Sequence, residues 1–271
     1  MTVTPALLAL TRQAERLWEA VSPAWPGFSV EVLPTIDSTN TELMRRARAG
    51  QHAPVLLTAV EQTAGRGRRG RGWVSAPGDS LSFSVGVPLR PRDWSGLSLA
   101  VGASLATSMP PAVRLKWPND LWWQDRKLGG ILVETASLGD ERYAVIGVGL
   151  NLRTPQLPAA TPASDDALPP PVAPVGLDEL LGHPSDPPDG GDVLLQCIPP
   201  LMRDLRLFEA SGFAAFAPRF AQRDALYGRP VRLSDGHSGT AVGVRADGAL
   251  LLDTGHEVMA VIQQEVSVRP C

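Results

Sequence analysis

A chain of 271 residues has room for one fair-sized domain and a small one. Its composition, 44% hydrophobic and 20% charged, is ordinary for a soluble globular protein. A formal net charge of -3 excludes a whole-surface preference for nucleic acid, so any basic function must be local.

The pattern Leu7, Leu8, Leu10, Leu17 and Trp18 predicts a short amphipathic helix. Arg12, Glu15, Arg16 and Glu19 within Met1 to Ala20 argue against a secretory signal. Ser38-Thr39-Asn40-Thr41-Glu42 reads as a helix start, with Thr39 as cap and Glu42 reaching back. That helix runs through Leu43, Met44 and Ala47 and stops at Gly50. Val55 to Val60 is an apolar run rich in strand formers. After the Gly/Arg segment Gly65 to Gly72, Leu81 to Val87 alternates like a half-buried strand. Trp94 to Met109 reads as a buried helix ended by Pro110-Pro111. Val113 to Trp117 is a short strand leading into the turn Pro118-Asn119-Asp120. Leu121-Trp122-Trp123 and Leu128 to Thr135 flank the turn Gln124-Asp125-Arg126, giving a β-hairpin with Lys127 beside its tip. Tyr143 to Leu152 is a further strand.

Thr154 to Gly191 is dense in Pro, Gly, Ala and Asp and reads as mostly loop, with a short helix at Leu177 to Leu181. Val193 to Ala210 reads as a helix broken or kinked near Pro199-Pro200, and Phe213 to Phe220 as a second short one. Five short strands follow Leu226, at Pro230–Leu233, Gly239–Val244, Leu250–Leu252, Val258–Val261 and Val266–Val268, and they suggest a small β-barrel. The two cysteines, Cys197 and Cys271, have no partner nearby in sequence, which fits a reducing compartment. His52, His183, His237 and His256 are scattered and show no metal-ligand spacing. No run approaches the ~18 apolar residues of a membrane helix. A cytoplasmic location is expected.

Four segments carry chemistry. The first, Glu61 to Trp73, alternates Arg66, Arg68, Arg69 and Arg71 with glycines inside an otherwise acidic protein. Glycine brings backbone N–H groups close to a ligand. Arginine offers a rigid donor fork for phosphate or carboxylate oxygens. An RG-rich RNA-binding segment or a solvated basic loop has the same composition, and the Gly-Lys-Ser/Thr of a Walker A loop is absent. The second is Lys116-Trp117-Pro118-Asn119-Asp120-Leu121 with Lys127-Leu128-Gly129-Gly130-Ile131-Leu132-Val133-Glu134. It places a cation beside open backbone, where it can hold a carboxylate or α-phosphate. An ordinary hairpin with a glycine bulge has the same spacing. The third, Asp37-Ser38-Thr39-Asn40, is a helix cap that can also present hydroxyls and N–H groups to a ligand. In the fourth, Gly147-Val148-Gly149-Leu150-Asn151, the glycines thin the strand so that a ligand or another backbone can lie against it.

In this order and spacing the four segments resemble the biotin–protein ligases, strongly from Val32 to Leu152 and again at Tyr227-Gly228-Arg229-Pro230-Val231 and Glu265-Val266-Ser267-Val268-Arg269. The resemblance implies an α/β fold: a mixed central sheet flanked by helices, like the class II aminoacyl-tRNA synthetases, then a small C-terminal SH3-like barrel. It implies a catalytic domain over 1–225, with 154–191 a proline-rich insertion, and a barrel over 226–271. It also implies a reaction in which biotin and ATP give biotinyl-5′-AMP, and a lysine of a biotin carboxyl carrier protein then takes the biotin. Magnesium would bridge the phosphates.

Carried over by position, Ser38, Thr39 and Gln62 would hydrogen-bond the ureido ring of biotin. Gly65, Arg66 and Arg68 would close over biotin and the adenylate, and Gly130 would flank the biotin. Arg66 and Arg71 would balance phosphate charge, and Trp73 would pack on the adenine side. Lys127 would contact the biotin carboxylate and the α-phosphate, and with Arg66 it would carry catalysis. Lys116 and Asn119 would make further ATP contacts, Asn151 would contact adenine, and Asp120 is a candidate for magnesium. Repressor relatives begin with a helix-turn-helix, which does not fit into the roughly 30 residues before the first motif. No specific nucleic acid, no membrane and no repressor role are therefore expected. Monomer and homodimer both stay open.

Two rival readings share parts of this pattern. A lipoate ligase or octanoyl/lipoyl transferase shares the core fold, but the Gly/Arg loop and Lys-Trp-Pro-Asn-Asp favour biotin, and neither cysteine sits in a motif. A non-enzymatic RNA binder predicts a basic chain with interleaved aromatic platforms, whereas only Trp73 flanks the loop.

Overall fold

The computed structural model describes residues 4–138, 141–156, 172–262 and 268–271. Its elements in chain order are α1 (Pro5–Arg12), α2 (Ala14–Val21), β1 (Ser29–Ile36), α3 (Thr39–Arg48), β2 (Val55–Gln62), β3 (Ser80–Leu89), α4 (Leu97–Thr107), β4 (Arg114–Lys116), β5 (Asp120–Trp123), β6 (Arg126–Leu138) and β7 (Glu141–Asn151). Then come α5 (Leu177–Leu180), α6 (Gly190–Ser211), α7 (Ala217–Arg223), β8 (Pro230–Leu233), β9 (Ser238–Val244), β10 (Leu250–Asp253), β11 (Val258–Val261) and β12 (Val268–Pro270).

The first sheet has seven strands in the order β1-β2-β3-β7-β6-β5-β4, with β1 and β2 parallel and the other neighbours antiparallel. Its strands are apolar on both faces. Leu43, Met44 and Ala47 of α3 pack on Val55, Leu57, Tyr143 and Val145 on one side. Leu56, Val60, Ala144, Ile146 and Val148 point into the main core on the other, with α1, α2, α4 and α6. A fully buried leucine or valine contributes roughly 1.5–3 kcal/mol, so a sheet covered twice is a rigid platform. β3 therefore departs from the half-buried expectation. Ser82 and Ser84 alternate with Leu81, Phe83 and Val85, yet both serines are buried. Their hydroxyls are satisfied by Trp73, Thr39 and Asn40.

The second sheet is antiparallel and has five strands, in the order β11-β10-β9-β8-β12. Pro230–Leu233 and Val258–Val261 coincide with their expected bounds. Of the expected strand Val266–Val268, and of the motif Glu265 to Arg269, residues 263–267 lie outside the described residues, as do residues 157–171 of the proline-rich stretch. One core cluster takes in both sheets, joining Val231, Leu233, Ala241 and Leu250 to the body of the molecule.

Several boundaries differ from expectation. Ser38, not Thr39, caps α3: its φ of -160° is extended and its side chain accepts from the N–H of Thr41. Thr39 is then the first helical residue, and Glu42 pairs with Arg45 and Arg46 instead of reaching back. The N-terminal segment is two helices parted at Gln13, not one. α6 begins at Gly190 and runs unbroken through Pro199 and Pro200, because Cys197, Ile198, Leu201 and Met202 are all seated in the core. Phe213–Ala215 is a 3₁₀ turn that precedes α7. Strand β1 was not foreseen.

Candidate functional site

A cleft opens where the N-terminus of α3, the end of β2, the Gly/Arg loop and the β5–β6 hairpin meet over β7. Ser38, Thr39, Gln62, Arg66, Arg68, Arg71, Trp73, Asn119, Asp120, Lys127 and Gly130, all expected from sequence, line it together. Gly65, Lys116 and Asn151 do not.

The Gly/Arg loop is a small antiparallel hairpin. Arg66 bridges to Gly72, the Trp73 N–H donates to the Gly65 carbonyl at 2.9 Å, and the Gly67 N–H donates to the Arg71 carbonyl at 2.8 Å. Gly65 therefore sits at the base of the hairpin, and the Trp73 carbonyl leaves no room there for a Cβ. Trp73 lies flat on Gly149, and Asn40 lies on Gly147; a Cβ at either glycine would overlap those side chains. The thinned strand thus accommodates the protein's own side chains.

A hydrogen-bonded polar network borders the cleft. The Asn40 Nδ2 donates to the Leu132 carbonyl at 3.2 Å and to Glu134 Oε2 at 3.0 Å. Its Oδ1 can only accept, so the Ser84 hydroxyl donates to it at 2.6 Å. Ser84 Oγ and Thr39 Oγ1 lie 2.7 Å apart. The Thr39 N–H and hydroxyl both donate to Gln62 Oε1, at 2.8 Å and 3.1 Å.

Cations line the same cleft, and one of them, Arg66, meets the network at Glu134. Lys127 Nζ is 2.8 Å from Asp120 Oδ1, and Arg66 Nη1 is 3.3 Å from Glu134 Oε1. Arg68 Nη1 donates to Asn119 Oδ1 at 3.1 Å, and Asn119 Nδ2 donates to the Ile131 carbonyl at 2.9 Å. Burial lowers the pKa of Arg68, with Asp120 opposing that shift. Asp120 is the one carboxylate among the described residues lining the cleft. Among the described residues no group of three or more potential metal ligands occurs. The lining thus offers a metal ion a single carboxylate, that of Asp120.

Lys116 points away. It is buried, with Nζ 5.1 Å from the Trp122 ring centroid. Burial lowers its ammonium to about 8, with Asp120 opposing. Asn151 is also buried, and its Nδ2 donates to the carbonyls of Lys127 at 3.2 Å and Val175 at 3.0 Å. Burial pushes the Cys197 thiol up to about 12, and neither cysteine lines the cleft, so no cysteine nucleophile operates there.

Sequence reasoning did not single out Asn40, Ser84 or Glu134 as site residues. Asn40 stands inside the Ser-Thr-Asn motif and Glu134 ends the Lys-to-Glu one, so both signals were present. Ser84 had only its alternation in β3.

Phe83, Ile131, Leu132 and Val148 add an apolar lining. A cleft lined by hydrogen-bonding, apolar and cationic groups together suits an amphiphilic acid beside a polyphosphate, the arrangement of an acid-activating ligase. Residues 32–151 match the biotin/lipoate A/B protein ligase family. The chain is 35% identical over 253 residues to the bifunctional ligase/repressor BirA of Escherichia coli (strain K12), covering 90% of this chain and 75% of that protein. It is 33% identical over 235 residues to the biotin–[acetyl-CoA-carboxylase] ligase of Paracoccus denitrificans, covering 82% of this chain and 92% of that one. The solved biotin protein ligase from Aquifex aeolicus in complex with biotin and ATP superposes with a TM-score of 0.70 at 26% identity, over 89% of this chain and 99% of its own. The chain belongs to the biotin/lipoate A/B protein ligase family.

Proposed function

We propose that this chain is an ATP-dependent biotin–protein ligase. The observation that carries the reading is the cleft itself, which gathers hydroxyl and amide groups, an apolar lining and cations in a chain related to named biotin ligases along most of its length. In the first step the biotin carboxylate oxygen attacks the α-phosphorus of ATP, a P–O bond breaks, and pyrophosphate leaves. In the second, the ε-amine of an acceptor lysine attacks the acyl carbon, loses a proton, and AMP leaves. The acceptor is a biotin carboxyl carrier domain, the partner class that the relatives' names imply.

The ureido ring, a donor and acceptor of hydrogen bonds, lies against Ser38, Thr39 and Gln62, and its fatty-acid arm runs along the apolar lining past Gly130. Lys127 exchanges Asp120 for the carboxylate and α-phosphate oxygens. Arg66, Arg68 and Arg71 neutralise the phosphates as the loop closes, with Trp73 on the adenine side. Bringing two anions together is opposed by Coulomb repulsion, and these cations offset it in a water-poor site. Closure also shields the adenylate from hydrolysis. Asp120 is the cleft carboxylate that would help to hold a magnesium ion, which would supply further charge neutralisation. Lys116 and Asn151 act behind the cleft wall. The division at residue 225 into catalytic and C-terminal units, and a cytoplasmic location in keeping with two free cysteines, belong to the same proposal. No helix among the described residues is long and apolar enough to cross a membrane.

Incubation with biotin, ATP, magnesium and a purified carrier domain tests it. The expected result is one added biotin, by mass, on one carrier lysine. An unmodified carrier, with a known biotin ligase active in parallel, would contradict it.

A further inference from the structure

We infer that Arg229, at the entry to the C-terminal sheet, is a positioning residue that holds the hairpin tip carrying Lys127; the inference rests on the ligase reading. The tip is a turn that needs outside support. Gln124 and Asp125 have φ of 48° and 58°, the left-handed region that side chains disfavour. Arg229 is itself fixed: its N–H donates to the Leu226 carbonyl at 2.9 Å, and its carbonyl accepts from the Ala241 N–H at 3.0 Å. From that base Nη1 donates to Asp125 Oδ1 at 2.5 Å and Nη2 to Oδ2 at 3.1 Å. Such a fork-to-fork pair sets direction as well as distance.

The next two residues are gripped from elsewhere. Arg126 Nη1 donates to Glu179 Oε1 at 2.5 Å and its Nε to the Pro174 carbonyl at 3.1 Å. The Lys127 N–H donates to the Ala173 carbonyl at 2.8 Å, and its own carbonyl accepts from the Val175 N–H at 2.9 Å. Three consecutive residues, 125 to 127, are thus held, and the grip on Asp125 comes from the C-terminal sheet. The Asp125 side chain is 60% exposed and that of Arg229 36%, so the pair adds little stability. What it adds is aim. Without it the ladder of β5 and β6 persists, but the tip swings and Lys127 Nζ loses its fixed approach to the anions.

The test uses the full chain with Arg229→Ala, Asp125→Asn and the double variant. Asn tolerates the left-handed turn, so the fold is spared. Biotin-dependent pyrophosphate exchange is read as kcat and KM, with hydrogen exchange at 124–127 as a second readout. Each single variant is expected to lose about tenfold in kcat. The KM for biotin should move by less than about twofold, the loss being one of aim, not of uniform binding. The double variant should be no slower than the worse single one. Exchange at 124–127 should rise, the Tm should move by no more than about 3 °C, and Arg232→Ala on the same sheet should be silent. Wild-type kcat and unchanged exchange at 124–127 in Arg229→Ala, or losses that simply add in the double variant, would overturn the inference. A wild-type chain without biotin-dependent exchange would instead overturn the ligase reading, and the hydrogen-exchange comparison would still decide whether Arg229 holds the tip.

Discussion

The charged side chains of the cleft fall into two kinds. Lys127 and Arg66 line it and are held by Asp120 and Glu134, acceptors that an incoming anion can replace. Lys127→Ala and Arg66→Ala are each expected to lower adenylate formation by at least about tenfold, read by single-turnover formation of the acyl-adenylate. Near-normal rates in both would remove these two from the chemistry. Lys116 is buried in the wall, and burial brings its pKa from 10.5 to about 8. The unfolded chain binds the extra proton between those values, so this residue makes folding stability rise with pH across that window and leaves it at its lowest below about 8. Urea titrations of the wild type and Lys116→Met should therefore converge or cross toward high pH, with the wild type gaining. A constant difference would show that Lys116 is not desolvated. The resemblance carried by the ordered motifs, not spacing alone, made Lys127, Thr39 and Gln62 legible as candidates. The motifs did not reveal that Lys116 and Asn151 face inward, because that depends on the register of the three-residue strand β4 and on contacts with Val175, far along the chain.

Among the elements, the glycines of β7 are explained by what lies on them. Gly149 faces the Trp73 ring and Gly147 the Asn40 amide. Gly149→Ala should destabilise the fold by about 1–3 kcal/mol by overpacking, measured by chemical unfolding, and should weaken ATP binding as Trp73 is displaced. Unaltered stability would mean that the ring gives way freely. In the Gly/Arg hairpin, Gly67→Pro deletes the N–H that bonds Arg71. The lifetime of the adenylate on the enzyme should shorten; an unchanged lifetime would detach this loop from closure. Periodicity found most strands and helices, since apolar runs between Gly and Pro carry their own signal. It missed β1, whose flank Phe28-Ser29-Val30-Glu31-Val32-Leu33 alternates but interrupts itself at Pro34, as an edge strand tolerates. The uninterrupted α6 shows tertiary packing overriding the Pro199-Pro200 break.

At the scale of the molecule, the two sheets share one core and several ties around the cleft. Trp117 Nε1 donates to the Gly248 carbonyl at 2.9 Å, and Arg69 Nη1 to Ser234 Oγ at 3.3 Å. The boundary at residue 225 thus separates proposed roles more than folding units. Unfolding in urea should be a single transition by both fluorescence and circular dichroism, and two separated transitions would show independent units. The polar, apolar and cationic groups of one cleft come from α3, β2, the Gly/Arg loop, β3, β7 and the β5–β6 hairpin, and only the ordered set of motifs made that assembly visible beforehand. The claim that the assembly activates biotin is tested most directly by ATP–pyrophosphate exchange with the purified full chain, run with biotin, lipoate, octanoate and no acid. The account predicts exchange that requires biotin. Exchange driven by lipoate or octanoate instead, or by no acid at all, would contradict it.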